Sequence, residues 1–254
     1  MKALRYRFSI PNHLAVRALD RALPALLAAG RIPGLALVDA VPRPLPGGEW
    51  LRLRPRLCGV CGSDVSLLTN RGSPALTPFV SFPLVPGHEV VADVVAVGPA
   101  VAGIAPGERV VVDPLISCRM RGLEPCPPCA RGESGLCTRA AEGRLAQGML
   151  TGFCRDLPGG WGEEMVAHRS QVYPVPADMP DEVAALVEPL SVALHAVLRC
   201  PPGPRSRVLV VGGGTVGLLV LSALRLLGSP CHVTLLARHR VQADLAARLG
   251  ADLV

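Results

Sequence analysis

Lysine is almost missing from this chain. Lys2 is the only one, so the formal charge of +6 rests on arginines, which are scattered among alanine, proline and glycine instead of gathered in one block. Basic charge dispersed in this way makes no stripe that could track a phosphate backbone. Aromatic residues are also scarce, at 3%, which removes the stacking platforms used to hold single-stranded nucleic acids. No nucleic-acid partner is expected. An unbroken apolar run of membrane length is lacking as well: Val208 to Leu224 carries no charge and is flanked by arginines, but Gly212, Gly213 and Gly214 interrupt it. No secretory signal is expected, because Asp20 and Arg21 break the approach to the apolar stretch Ala22 to Gly30 and no clean cleavage site follows.

What the chain does have is length, apolar content and cysteine. Its 254 residues, half of them apolar, suffice for one large or two ordinary domains with proper cores. Of nine cysteines, four (Cys118, Cys126, Cys129 and Cys137) fall within twenty residues at short spacings. That bunching suits thiolates gathered on a metal in a reducing compartment better than a disulfide framework. A cytoplasmic location is expected.

Two structural grammars divide the chain. MKALRYRF opens as a strand, and Asn12 is placed to cap a helix in which Leu14, Ala18 and Ala22, with Leu19 and Leu23, recur at i+4 until Pro24. That helix has the character of an insertion. Leu51, Leu53 and Leu57 then alternate with Arg52, Arg54 and Arg56, a half-buried strand, and Phe82 to Val112 continues in short valine-rich strands separated by Pro-Gly turns. Residues 1–176 are therefore expected to form a β domain of barrel type. After Pro180 the period turns helical. RVLVV, a glycine turn, a helix stopped by Gly228, the strand CHVTLLA and the helix VQADLAARLG follow, so residues 177–254 are expected to form an α/β domain on a parallel sheet.

Gly212-Gly213-Gly214-Thr215-Val216-Gly217 fits the G-x-G-x-x-G fingerprint, and its setting between an apolar strand and a helix gives the match weight. Gly212 permits the turn, Gly214 admits a pyrophosphate to the backbone, and Gly217 lets helix lie on strand. The pyrophosphate would rest on the helix N-terminus at Thr215 and Val216. At the end of the next strand, where an acid normally binds the ribose of NAD, the run is Leu236-Ala237-Arg238-His239-Arg240. Arg238 in place of a carboxylate favours NADP, with NAD possible.

The stretch CGVCGSD, residues 58 to 64, could be a redox dithiol, half of a zinc knuckle, or two cysteines with separate tasks. A redox pair would open a helix beside a βαβ unit, whereas this one follows β pattern. Pro86-Gly87-His88-Glu89 presents an imidazole and a carboxylate on a tight turn. A thiolate from Cys61, the His88 ring and a carboxylate make a three-ligand zinc set with a fourth position open, the arrangement of a catalytic site.

GVCGSD, GHEVVADVVAVG, APGERVVV, GGWGEE, EPLSVALHA and VLVVGGGTVG occur in the order found in the zinc-dependent medium-chain dehydrogenases/reductases, and the chain closely resembles their polyol, glucose and threonine dehydrogenase branch from about Leu35 onward. The resemblance implies a GroES-like β-barrel catalytic domain followed by a partial Rossmann domain. It implies zinc at Cys61, His88 and Glu188, with Glu89 as an alternating or additional ligand, Asp64 orienting the His88 ring and Ser63 passing a proton. Cys126, Cys129 and Cys137 match the family's structural zinc lobe. Leu123 stands where that lobe usually has another cysteine, and Cys118 is expected to replace it.

The activity so implied is NAD(P)-linked interconversion of a small-molecule alcohol, of polyol or sugar type, with its carbonyl compound. Full-length relatives would be homo-oligomers. Set against it is the end of the sequence at ADLV, the start of a third strand out of six. The rival expectation is a catalytically inactive zinc-binding fragment.

Overall fold

The computed structural model describes residues 1–18, 25, 32–69, 71–72 and 78–254. They fall into two compact units, Met1–Ala185 and Leu186–Val254.

In the first unit, β1 (Lys2–Tyr6) pairs antiparallel with β2 (Leu35–Asp39). Five strands make an antiparallel sheet in the order β6-β3-β4-β5-β7, from β3 (Trp50–Cys58), β4 (Val90–Val97), β5 (Arg109–Val112), β6 (Met165–His168) and β7 (Val172–Pro174). Leu51, Leu53, Val90, Ala92, Val94, Val110, Val112 and Met165 point to one side of it and form the main core. The alternation expected for β3 holds at Leu51 and Leu53, both fully buried, and fails at Leu57, which is 39% exposed. The register against β4 slips between Pro55 and Leu57, and an extra residue in a strand reverses the face of everything after it. Pro55 is tolerated because β6 has stopped pairing with β3 at Leu53.

The N-terminal helix, α1 (Ile10–Ala18), begins earlier than expected: the His13 N–H donates to the Ser9 carbonyl at 2.9 Å, so Asn12 lies inside the helix and not at its cap. The expected continuation through Leu19, Ala22, Leu23 and Pro24 lies outside the described residues.

The last element of the first unit is α4 (Asp181–Ala184). Asp181 accepts from Arg56 at 2.7 Å and from Arg109 at 2.8 Å. Arg109 also donates to the carbonyls of Pro176 and Met179. These bonds, with Ala184 and Ala185 packed on Val91 and Val111, tie the segment after Pro176 to the sheet.

The second unit starts with α5 (Val187–Arg199). A parallel pair follows, β8 (Arg207–Val211) and β9 (His232–Leu236), joined through α6 (Thr215–Leu226), and α7 (Arg240–Arg248) comes after β9. Leu221, Leu224, Val233, Leu235 and Ala246 form its core. Leu253 bridges in parallel to Thr234 of β9, on the side away from β8, which gives the strand order 3-2-1 of a dinucleotide-binding half-fold.

Candidate metal and nucleotide sites

Cys61 ends the loop after β3 and caps α2 (Gly62–Leu68). The C-x-x-C pair does open a helix, contrary to expectation, but the helix leads into an antiparallel sheet and the two sulfurs differ in character. Burial pushes the Cys58 thiol up to about 12, and its sulfur lies against the turn at Gly87 and beside Gly160. Cys61 moves the other way: its contact with His88 is the main cause, burial opposes it, and Ser63 adds to it. Cys61 is the cysteine that can ionise.

His88 reaches Cys61 because Gly87 turns the chain at φ +96°. A Cβ at Gly87 would stand 2.4 Å from Trp161 Cδ1 and 2.7 Å from Cys58 Sγ, so both the dihedral and the space require glycine. The strand-like loop behind the turn holds it in place, with Gly159 N–H donating to Val85 O and Gly160 N–H to Gly87 O. The His88 ring is 4% exposed. Its Nδ1 is 3.5 Å from Asp64 Oδ1, an ion-pair distance without hydrogen-bond alignment, and its Nε2 is 3.4 Å from Ser63 Oγ. Burial lowers its basicity, but the Asp64 carboxylate and the Cys61 sulfur outweigh that and bring it up to about 10. Asp64 is fully buried and its Oδ2 accepts the Cys61 N–H at 3.0 Å.

The ligand atoms of Cys61, His88 and Glu89 all lie within 4.8 Å of one another. One soft and two harder donors at that spacing suit a zinc ion with an open position. Glu188 is the second residue of α5 and belongs to the second unit, so its expected role rests on sequence.

Four sulfurs form another cluster in the first unit, those of Cys118, Cys126, Cys129 and Cys137. Cys118 Sγ is 3.6 Å and Cys126 Sγ 4.0 Å from Cys137 Sγ. Tetrahedral zinc with bonds of about 2.3 Å needs sulfurs about 3.8 Å apart, and all four thiols are free. Cys118 arrives from five residues before Leu123 because the chain closes a Schellman turn there. Leu123 N–H donates to Cys118 O, Gly122 N–H donates to Arg119 O, and Gly122 has φ +68°. Cys126 caps α3 (Pro127–Ala130), and backbone N–H groups of Cys129 and Thr138 pull its thiol down to about 6. Burial drives Cys129 up to about 12 and Cys137 in the same direction. Without a cation, then, the four sulfurs cannot all be thiolates.

One residue here carried no signal in the sequence. Arg121, fully buried, donates to the carbonyls of Glu142, Leu145, Ala146 and Gly148, and burial lowers the basicity of its guanidinium. It ties the 142–148 loop to the turn that carries Cys118.

In the second unit, Gly212 has φ +107° and Gly217 closes on it: a Cβ at Gly217 would stand 2.0 Å from Gly212 O. Gly214 caps α6 in extended backbone with no side-chain cap, and a Cβ there would meet nothing within 4 Å. The first N–H groups of α6, at Thr215 and Val216, have no capping partner, the condition for an anion site. Gly213, which the fingerprint leaves unspecified, is also constrained, since its Cβ would come within 2.9 Å of Gln242 Cβ on α7. Arg238 is exposed just before α7, with its N–H on Gln242 Oε1.

A cavity of about 800 Å³ adjoins the Cys61–His88 cluster, with Ser63 in its wall. Leu67 and Phe79 line it, while Leu68 packs with Tyr6 and Leu84 in the core.

The family model of the alcohol dehydrogenase GroES-like domain matches residues 47–177. This chain belongs to the zinc-dependent medium-chain dehydrogenase/reductase family. The (R,R)-butanediol dehydrogenase of Saccharomyces cerevisiae is 34% identical over 213 residues, 77% of this chain and 53% of that protein. A candidate zinc-binding dehydrogenase of Sinorhizobium meliloti, solved with NADP, has a TM-score of 0.71 at 31% identity and covers 87% of this chain and 58% of its own. A short chain alcohol dehydrogenase of Escherichia coli CFT073, solved with NADH, reaches 0.73 at 26% identity over 100% of this chain and 61% of its own. The chain spans about half the length of the curated relatives it matches. Among the described residues, no helix is long and apolar enough to cross a membrane.

Proposed function

We propose that the protein is a zinc-dependent, NAD(P)-linked oxidoreductase that interconverts an alcohol and its carbonyl compound. The observation that carries this is the meeting of Cys61, His88 and Glu89 within 4.8 Å, beside a cavity into which Ser63 projects. Cys61, His88 and Glu89 would hold the catalytic zinc, with Glu188 carried into the ligand set on sequence alone. Zinc in that position supplies Lewis acidity, which lowers the pKa of an alcohol hydroxyl, and the bound nicotinamide supplies the acceptor for two electrons and a hydrogen.

The chain's own groups do the rest. Asp64 fixes the orientation of the His88 ring, the second contact that a histidine ligand needs. Ser63 Oγ, 3.4 Å from His88 Nε2, would accept the hydroxyl proton as its own O–H proton leaves to water, so that the alcohol gives one proton to solvent and one hydride to the nicotinamide and becomes the carbonyl. Gly214, Thr215 and Val216 receive the dinucleotide's pyrophosphate. Arg238 favours NADP by its charge toward a 2′-phosphate, while of the two solved relatives above one holds NADP and the other NADH. The four-cysteine cluster would bind a structural zinc.

The reading is tested by metal analysis, NADPH titration and an alcohol-oxidation assay on the same preparation. Two zinc ions per chain, saturable NADPH binding and turnover that disappears in Cys61→Ser are expected. Zinc confined to the four-cysteine cluster would overturn the catalytic reading and favour the inactive fragment.

A further inference from the structure

All four phenylalanines of the chain, Phe8, Phe79, Phe82 and Phe153, line the cavity beside the candidate catalytic site. A sequence with so few aromatic rings has put every phenylalanine it owns on a single wall. Two of them come from outside any repeat of the sheet pattern: Phe8 precedes α1 and stacks on Phe82 with centroids 5.4 Å apart. Phe153 meets the His88 ring edge-on at 5.5 Å, so the aromatic wall begins at the candidate zinc ligand itself. Leu67, Met149 and Leu150 extend the apolar lining.

Ser81 and Gln147 are engaged in building this wall, while the Arg155 side chain, also on it, is 56% exposed with its Nε 3.9 Å from Asp156. Ser81 Oγ donates to Gln147 O at 2.6 Å and accepts the Arg155 N–H at 2.9 Å. Gln147 Nε2 donates to Val80 O at 2.9 Å. Ser63 and Ser66 lie one helical turn apart on α2, the end of the cavity where Ser63 touches His88. Away from that end, His13 Nδ1 is the buried lining atom with no hydrogen-bond partner among the described residues.

We propose that the substrate is an alcohol or carbonyl compound with an aromatic or comparably bulky apolar body and one reacting oxygen, presented at Ser63. It departs from the polyol or sugar-like alcohol expected from sequence, and it rests on the dehydrogenase reading above. A polyol carries a hydroxyl on each carbon. Each one moved from water against a phenyl or aliphatic wall loses its hydration and gains no partner. An aryl group loses nothing of the kind and gains offset or edge contacts with the rings already there. The volume of about 800 Å³ is that of a site for a small organic molecule. Phe8 and His13 also lie before the family match that begins at residue 47, so this specificity is built partly by the chain's own N-terminal segment.

The scarcity of phenylalanine supplies the test. Chain labelled with 4-fluorophenylalanine gives four ¹⁹F resonances, each reporting on the cavity wall, and is titrated with 1-phenylethanol and, separately, with sorbitol. The expected result is a saturable shift of at least two resonances with 1-phenylethanol, and none with sorbitol at ten times the concentration. Sorbitol acting at equal or lower concentration, or 1-phenylethanol moving nothing, overturns the proposal. Isothermal titration of the unlabelled chain with the same two alcohols gives the comparison independently of the label. Zinc content of wild type against Cys61→Ser is measured alongside. Equal content in the two would sink the dehydrogenase reading, while the order of the two alcohols separately decides what kind of molecule the cavity accepts.

Discussion

Asp64 touches both halves of the candidate catalytic site: its Oδ1 is 3.5 Å from His88 Nδ1 and its Oδ2 accepts the Cys61 N–H at 3.0 Å. Asp64→Asn keeps the shape and removes the charge. Zinc affinity at this site is expected to fall about 10- to 100-fold, read by competition with a chelating dye, while the thermal midpoint changes little. Asp64→Ala should lose the same affinity and also about 1 kcal/mol of stability, because the start of α2 loses its carboxylate. Unchanged zinc affinity in Asp64→Asn would refute the positioning role.

Cys58 and Cys61 should respond in opposite ways to the same substitution. Cys61→Ser is expected to remove one zinc per chain. Cys58→Ser should leave both zinc ions in place and cost about 1 kcal/mol in urea denaturation, from placing a hydroxyl among Gly87, Gly160 and Trp161. Loss of activity in Cys58→Ser with zinc intact would revive the dithiol reading.

Zinc uptake by the four-cysteine cluster should depend steeply on pH. Cys129 and Cys137 have their thiol pKa raised, and Cys129 stands at about 12, so near pH 7 both hold protons that the metal must displace. Apparent affinity therefore rises with pH, by about 100-fold per unit for two protons. Chelator competition at pH 6, 7 and 8 measures the slope, and a flat profile would show that the thiols are already ionised. Arg121→Met is expected to destabilise the same loop by roughly 3 kcal/mol, since four carbonyls lose their buried donor.

The glycine loop separates binding from folding. Gly214→Ala should fold normally, because a methyl there meets nothing within 4 Å, and bind NADPH at least about 10-fold more weakly, because the methyl occupies the approach of the pyrophosphate. Gly217→Ala, with its methyl 2.0 Å from Gly212 O, should unfold the second unit. Arg238→Asp is expected to weaken NADPH and strengthen NADH binding. Fluorescence titration and circular dichroism distinguish these outcomes.

Much of the fold was legible because strand and helix periods differ. Val208 to Val211, the glycine turn and the helix ending at Gly228 could be read directly, as could the valine-rich strands. Leu57 misled because a register slip at Pro55 is a pairing event between two strands, and the pattern of one strand does not contain it. Asn12 misled because local cap preference was outweighed by a start at Ser9. Cys118 was reachable only by counting ligands, yet the Gly122 turn that delivers it is a local signal. Arg121 was not reachable at all, since nothing in RMRGLEP distinguishes a buried guanidinium from a solvated one. The apolar wall escaped notice because Phe8, the Phe79–Phe82 pair and Phe153 come from three separate stretches of sequence and only folding gathers them.

The double grip of Asp64 also bears on any attempt to re-engineer this centre. A single carboxylate couples the start of a helix to the orientation of an imidazole from the separate Gly87 turn, so the sulfur and nitrogen donors cannot be moved separately. Exchanging the metal for one with another preferred coordination would require repositioning α2 and the Gly87 turn as one body, together with the Gly159–Trp161 loop that supports it.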